Sequence, residues 1–289
     1  MTDYEVLFHE LAIPRLVGTS NHQKVREILK RELRARGFTI EEHVFSGRPS
    51  RAFVGSPRHV NGINLIAHGP TVRPSVWLVA HYDSKGQPIS MALRLIGFGA
   101  LLLGVLALLI AIVPAIVILA FGLIIVSQNR INDNSPGALD NASAVVAIFM
   151  AIDQLSARNA VGVIFPDAEE FGLVGARALA ADRADLLADS AVINLDGLDD
   201  AGRATAFMHR PGKLMAAVAA AVNARTWRWL PVIVDGIALA QVSRECVTIM
   251  KGGWRTMCVV HRPVDGVARL RLDGAASVAA GLARVLRGF

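Results

Sequence analysis

The sequence predicts an α/β fold: a mostly parallel, mixed sheet between two layers of helices, interrupted by an inserted hydrophobic helical hairpin. Three observations carry that prediction. Short, continuous apolar runs alternate with helical stretches, the pattern of strands buried on both faces. Most of those runs lead directly into a His, Asp or Glu. One segment, Leu95 to Val126, holds 32 residues without a charge and breaks the alternation. It lifts the apolar fraction of the 289 residues to 53% and the mean hydropathy to +0.44; the rest of the chain has an ordinary globular composition.

Residues 22–36 repeat apolar side chains at helical spacing (Val25, Ile28, Leu29, Leu33), and Gly37 is placed to cap that helix. "FTIEEHVF" alternates like a half-buried strand. "GINLIAHG" and "SVWLVAHY" are two further strands. Beyond the apolar segment, "SQNRINDNSPGALDNAS" is a turn-rich loop and "NASAVVAIFMAIDQL" a helix. "AVGVIFP" is a strand, "GLVGARALAADRADLL" a helix and "SAVINLD" a strand. "KLMAAVAAAVNAR" is a helix, "TMCVV" a strand and "DGAASVAAGLARVLRG" a closing helix. No repeat or long linker divides the chain. Residues 1–90 and 128–289 are expected to form one domain, with 91–127 inserted into it.

The net charge of +6 and pI near 9.9 do not point to nucleic acid. Arginines are scattered, as in "KVREILKRELRARG", which reads as a solvated helix face rather than a basic patch interleaved with aromatics. No nucleic-acid partner is expected. Cys246 and Cys258 lie in no metal-finger spacing and are expected as two reduced thiols. "MTDYEVLFHE" has acidic residues and no apolar core, so a secretory signal is not expected there.

In open α/β sheets, ligands bind beyond the carboxyl ends of the strands. His81 and Asp83 follow "SVWLVA", Glu169 and Glu170 follow "AVGVIFPDA", Asp196 closes "VINLD", and His261 follows "TMCVV". Asp140 stands in a loop ahead of a helix. Two imidazoles and three carboxylates make a ligand set for two divalent ions, and zinc suits mixed nitrogen and oxygen ligation. One carboxylate has to bridge such a pair. Glu169 and Glu170 cannot both face the metal from an extended segment, so one ligates and its neighbour is left free as a general base. Asp83 returns to the face of His81 and can hold its tautomer. Asp199 and Asp200 read as a turn, Lys85 as a solvated loop charge. His9, His22, His43, His59, His68 and His209 read as surface or structural residues.

The strings "HYDS", "GALDNAS", "DAEEFGLVGARAL", "INLDG" and "HRPVD" stand in the order seen in the zinc-dependent aminopeptidase family that includes the secreted bacterial leucyl aminopeptidases. The chain resembles that family of co-catalytic di-zinc exopeptidases over nearly its whole length, apart from roughly residues 86–135. The resemblance implies two zinc ions per chain, with Asp140 bridging them. His81 and Asp196 would complete one metal site, Glu170 and His261 the other. Glu169 would be the base acting on a water shared by both metals. The bond from Asp140 to Asn141 would be a cis peptide. The implied reaction is hydrolysis of the first bond of a peptide substrate with a free N-terminus. Val259 and Val260 stand where some members have a Tyr before the last His, which leaves the oxyanion-stabilising role unassigned. Asn141 and Ala144 also differ from the Asp and Gly of some relatives. Two alternatives remain. "HYDSK" also occurs in glutaminyl cyclases, which share the fold and bind a single zinc. Receptor-type relatives keep the fold as a non-catalytic scaffold but lose ligands that this chain retains.

A single membrane crossing by residues 95–126 would separate His81 from Asp140, Glu170, Asp196 and His261. The number of crossings is therefore even, and Pro114 is the expected break. The predicted hairpin runs from Ala92 to about Ile112 and from about Ala115 to Ser127. Its second arm, about 20 Å long, would dip into a bilayer or thin it. Arg94 and Arg130 flank it on one side, as cytoplasmic ends do. The expectation is a membrane localisation, lipid contact through residues 92–127 and a catalytic part on the cytoplasmic face. The alternative is a hairpin packed on the domain or against another copy.

Overall fold

A computed structural model describes residues 3–49, 56–69, 73–155, 160–228 and 233–288. The chain opens with helices α1 (Tyr4–Leu11) and α2 (Ser20–Ala35), then strands β1 (Thr39–Gly47), β2 (Val60–His68) and β3 (Val76–Val79). Helices α3 (Met91–Ala107) and α4 (Ile112–Ser127) follow, then α5 (Ser143–Asp153), β4 (Val161–Phe165), α6 (Val174–Asp182), α7 (Ala184–Leu187) and β5 (Ala191–Leu198). Strand β6 (Arg203–Arg210), α8 (Lys213–Ala221), β7 (Arg225–Trp227), α9 (Asp235–Leu239), β8 (Glu245–Gly252), α10 (Trp254–Met257) and α11 (Asp273–Leu286) complete it.

The eight strands form one sheet in the order β1-β2-β4-β3-β5-β8-β6-β7. The central run β4-β3-β5-β8 is parallel, and the flanking β1/β2, β2/β4 and β6/β8 pairs are antiparallel. Period-two alternation explains the three layers. In β3, Val76 and Leu78 face a core with α1, α2, α5, α8 and α11, while Trp77 and Val79 face the opposite core with α6, α7 and α9. All four side chains are fully buried, each adding roughly 1.5–3 kcal/mol over an exposed state. This is why β3 reads as a continuous apolar run instead of an alternating one.

Several expectations need correction. "TMCVV" is not a strand. It spans the end of α10 and the turns after it, and the strand it was taken for is β8, eight residues earlier in "ECVTIMKG". A five-residue apolar run cannot be assigned to helix or strand by periodicity, and β8 was hidden by its polar ends. Glu169 and Glu170 lie on a short 3₁₀ turn, Glu169–Phe171, not on an extended segment.

The apolar insertion does form two packed helices, but its break is not at Pro114. The chain turns at residues 108–111, and Pro114 sits in the first turn of α4. There the missing N–H has no intrahelical acceptor to lose. Glycines set the packing: an added Cβ at Gly97 would meet Ile125, at Gly104 Leu119, and at Gly122 Leu101. That pairing runs the two helices antiparallel. At 17 and 16 residues, they extend roughly 24–26 Å, short of a bilayer core of about 30 Å. No helix among the described residues is long and apolar enough to cross a membrane. The expected membrane localisation is thereby overturned, and with it the transmembrane reading of the hairpin and the orientation inferred from Arg94 and Arg130. The outer faces of the pair nevertheless stay bare, with Leu102 64% and Ile124 65% exposed, as does the tip at Leu109 and Ile110.

Candidate metal centre

The sheet delivers the first residues of the site. β3 ends at Val79, and His81 and Asp83 follow in a buried loop. Asp196 lies within β5, next to β3 in the sheet. Asp140 comes from an irregular turn, Ala138–Ala142, ahead of α5, and its bond to Asn141 is a cis peptide. Gly137 enters that turn at φ +58, where an added Cβ would lie 2.4 Å from the Asp140 carbonyl oxygen. Only glycine fits there. Asn141 anchors the turn to β5, donating to the Leu195 carbonyl at 3.0 Å and accepting from the Gly197 N–H at 3.0 Å.

Asp140 is the hub. One carboxylate oxygen lies 3.0 Å from His81 Nε2 and the other 3.0 Å from His261 Nε2. His261 Nε2 is also 2.9 Å from Glu170 Oε1. Two groups of convergent ligand atoms result, His81/Asp140/Asp196 and Asp140/Glu170/His261, each within 4.8 Å and sharing Asp140. His81 Nε2, Asp140 Oδ1 and Glu170 Oε1 are buried and make no hydrogen bond. Buried polar atoms left so are costly, and all three are ligand atoms aimed at one another. The residues fit divalent metal, zinc among the ions that this nitrogen and oxygen set favours.

Glu169 lines the cleft beside this cluster. Asp83 sits behind it. Its Oδ1 is 3.3 Å from His81 Nδ1, and its two oxygens accept the backbone N–H groups of Glu169 and Glu170 at 3.1 and 3.2 Å. One carboxylate thus ties the His81 loop to the Glu169–Glu170 turn. Asp265 braces the other side, accepting from the Leu139 and Asp140 N–H groups at 2.8 and 3.3 Å.

Charge follows this geometry. Burial disfavours the Asp140 carboxylate, but His261 and His81 outweigh it and hold its pKa well below the ordinary value. Glu170 is likewise lowered, burial being outweighed by His261 and Lys85. For His81, burial opposes the charge while Asp140 and Asp83 raise the pKa well above 6.5. For Asp196, burial and the neighbouring Asp140 outweigh His81 and push it up to about 8. Burial also takes Asp265 to about 7.

Sequence reasoning missed four contributors. Lys85 is not a solvated loop charge. It is buried, with Nζ 2.7 Å from Glu170 Oε2 and 3.2 Å from the Glu170 carbonyl. Its place in "HYDSK" was the available signal. Arg94 turns inward from α3 and brings Nη2 within 2.7 Å of His261 Nδ1. Arg15 is buried and donates to the carbonyls of Tyr82, Gly137 and Pro136, clamping the two ligand loops together. Asp167, just before the Glu pair, is bound by His22 Nε2 at 2.8 Å and the Tyr82 hydroxyl at 2.9 Å. His22, expected to be surface or structural, is a buried structural residue. Asp199 and Asp200 are structural too, accepting from Thr256 and from the Gly274 N–H. Cys246 and Cys258 are free thiols, the first buried and the second exposed.

A cavity of about 680 Å³ opens onto Asp140, Glu169, Glu170, Asp196 and His261. Its walls are apolar: Leu95 and Phe98 from α3, Phe207 from β6, Met250 from β8, and Met257 and Val260 near α10. The model of peptidase family M28 matches residues 64–228. The chain belongs to peptidase family M28. The matched region of this M28 chain includes His81, Asp140, Glu169, Glu170 and Asp196, and it runs through the hairpin. Membership makes it a protein of a zinc-dependent metallopeptidase family.

Solved structures agree on the fold. A Porphyromonas gingivalis glutaminyl cyclase aligns over 99% of this chain and 96% of its own, with TM-score 0.68 and 17% identity. The Legionella pneumophila LapA aminopeptidase aligns over 99% of this chain and 71% of its own, at TM-score 0.64 and 14% identity. An aminopeptidase from Aneurinibacillus sp. strain AM-1 gives 0.62 and 12%, over 99% and 93%. At such identities the likeness establishes the three-layer fold with its mixed sheet, and no more. No curated protein sequence matches the chain.

Proposed function

We propose that this M28 chain is a metal-dependent aminopeptidase that removes the N-terminal residue of a peptide at a centre of two zinc ions. The observation that carries this reading is Asp140, whose two oxygens belong to two separate ligand groups. In this reading His81 and Asp196 hold one ion with Asp140, and Glu170 and His261 hold the other. Bound zinc supplies polarisation of the scissile carbonyl and a lowered pKa for water. Glu169, on the cleft wall beside both groups, takes the proton from the attacking water and delivers it to the leaving amine. Asp83 acts from behind, fixing the His81 tautomer and the amides of the Glu169–Glu170 turn. The apolar cavity receives a side chain of the peptide and excludes water around it.

A second reading is kept because Lys85, within "HYDSK", is buried against Glu170, and because glutaminyl cyclases share the fold. It assigns the chain to cyclisation of an N-terminal glutamine at one zinc. One assay separates the two. Purified protein is offered aminoacyl nitroanilides and Gln-initiated peptides, with chelator and after zinc is restored, beside Glu169→Gln. Zinc-restored release of amino acids, lost in the variant, supports the aminopeptidase. Pyroglutamate formation without hydrolysis replaces it with the cyclase.

A further inference from the structure

His81 and His261 both turn Nε2 toward Asp140, but their other nitrogens meet opposite partners. Among the described residues, His81 Nδ1 faces acceptors, Asp83 Oδ1 at 3.3 Å and the Asp83 carbonyl at 3.2 Å. The hydrogen of a neutral ring is therefore on Nδ1, which leaves the Nε2 lone pair for a metal, the usual arrangement for a ligating histidine. His261 Nδ1 is 2.7 Å from Arg94 Nη2. A guanidinium has no lone pair to offer and stays charged, so His261 Nδ1 must accept. The hydrogen of a neutral ring is then on Nε2, the atom that faces Asp140 and Glu170. Those carboxylates lie 3.0 and 2.9 Å from Nε2, and a metal at Nε2 has to displace the hydrogen against the Arg94 N–H.

The insertion holds His261 a second way. Gln87, at the root just before it, donates its backbone N–H to the His261 carbonyl at 2.7 Å, and the Gly86 and Asn132 backbones exchange hydrogen bonds of 2.7 and 2.9 Å across that root. His261 itself sits at φ +65, a region that a non-glycine residue keeps only when its surroundings fix it. Arg94 is buried in the first turn of α3, whose start is capped by Ser90 Oγ on the Leu93 N–H. The ring and backbone of one ligand are both set by the hairpin root.

We infer that Arg94 makes the two metal groups unequal: it holds His261 in the wrong tautomer for Nε2 ligation and adds a positive charge beside the Asp140/Glu170/His261 group. The ion at that group is bound more weakly than the ion at His81/Asp140/Asp196, and the position of the hairpin sets how weakly. This rests on the two-ion reading above, and Arg94 is a positioning residue that acts through His261.

The test is zinc binding to chelator-stripped full-length protein, measured in competition with a chromophoric chelator. Histidine tautomers are read in parallel by ¹⁵N-detected ring correlations. Wild type binds one ion tightly and a second more weakly, and metal-free His261 carries its hydrogen on Nε2. Arg94→Gln keeps a polar side chain whose oxygen can accept from Nδ1–H. It should tighten the second ion by about 10–100-fold, the scale on which a ligand's outer partner acts, and leave the first unchanged. Arg94→Lys keeps donor and charge and should match wild type. Equal affinities in wild type and Arg94→Gln, or a weaker second ion in that variant, overturn the inference while leaving the aminopeptidase reading intact. A hydrogen on His261 Nδ1 in the wild-type protein overturns it without any variant. Failure of all three proteins to bind zinc overturns both.

Discussion

His81 and His261 present the same atom to the same carboxylate from very different supports. His81 follows a four-residue strand buried on both faces, and Asp196 lies in the next strand. The first metal group is thus fixed by the sheet, with Asp83 buried behind it. His261 stands in turns after α10 at a positive φ and is held by Arg94 of the insertion and by Gln87 at its root. His81 and Asp196 thus depend on the sheet itself, whereas His261 depends on what this chain has added to the fold.

The largest effect should come from removing what the halves share. Asp140→Asn is expected to bring bound zinc close to zero in both groups, read by metal analysis of the purified protein; retention of one tight ion would mean that the halves are independent. Glu169→Gln should leave metal content unchanged and lower kcat by about 10²–10⁴-fold, the usual worth of a general base. Asp83→Ala acts on the sheet-borne half and should weaken the first ion by about 10–100-fold, the counterpart of Arg94→Gln on the other half.

A pH experiment sharpens the same contrast. In metal-free protein Asp196 is raised to about 8 and Asp265 to about 7, against 3.8 for the ordinary group. The folded chain then binds more protons than the unfolded chain between these values, so stability falls as pH rises from about 4 to about 8. His81, raised above 6.5, acts in the same direction because its charged form is favoured in the fold. Denaturant unfolding of the metal-free protein across that range should show the decline. Zinc should flatten it by holding Asp196 as a carboxylate. The smallest effect is expected from Gly104→Val, which drives a side chain into Leu119 and separates α3 from α4. It should cost about 1–3 kcal/mol and disturb the second ion more than the first.

The legible part of this molecule follows the same division. Strand β3 and the residues after it could be read because burial on both faces demands an unbroken apolar run, and the chemistry begins where that run stops. Glu169, Glu170 and Asp196 could be placed on one rim by the same logic, whereas Asp140 stands in a loop and its bridging role came from the family resemblance. The strand before His261 was misplaced by eight residues, because β8 ends in "MKG" and a five-residue apolar turn imitated it. Lys85 was misread as a solvated charge and Arg94 as the cytoplasmic flank of a membrane hairpin. Direction is what failed there: a lone cation in a loop or at the edge of an apolar run looks the same in sequence whether it faces water or a buried carboxylate. The apolar insertion folds as two packed helices. Its turn was misassigned because a proline in the first helical turn costs nothing, and its placement in a membrane did not survive the lengths of the two helices.

The central claim is that hydrolysis runs at the Asp140-centred metal cluster with Glu169 as its base. The most direct test is to add zinc stepwise to chelator-stripped protein and read bound metal and aminoacyl-nitroanilide hydrolysis from the same samples, for wild type and Glu169→Gln. The account predicts that wild-type activity appears only as zinc binds and that Glu169→Gln binds the same zinc yet stays inactive. Hydrolysis by the metal-free protein, or a Glu169→Gln variant as active as wild type, would contradict it.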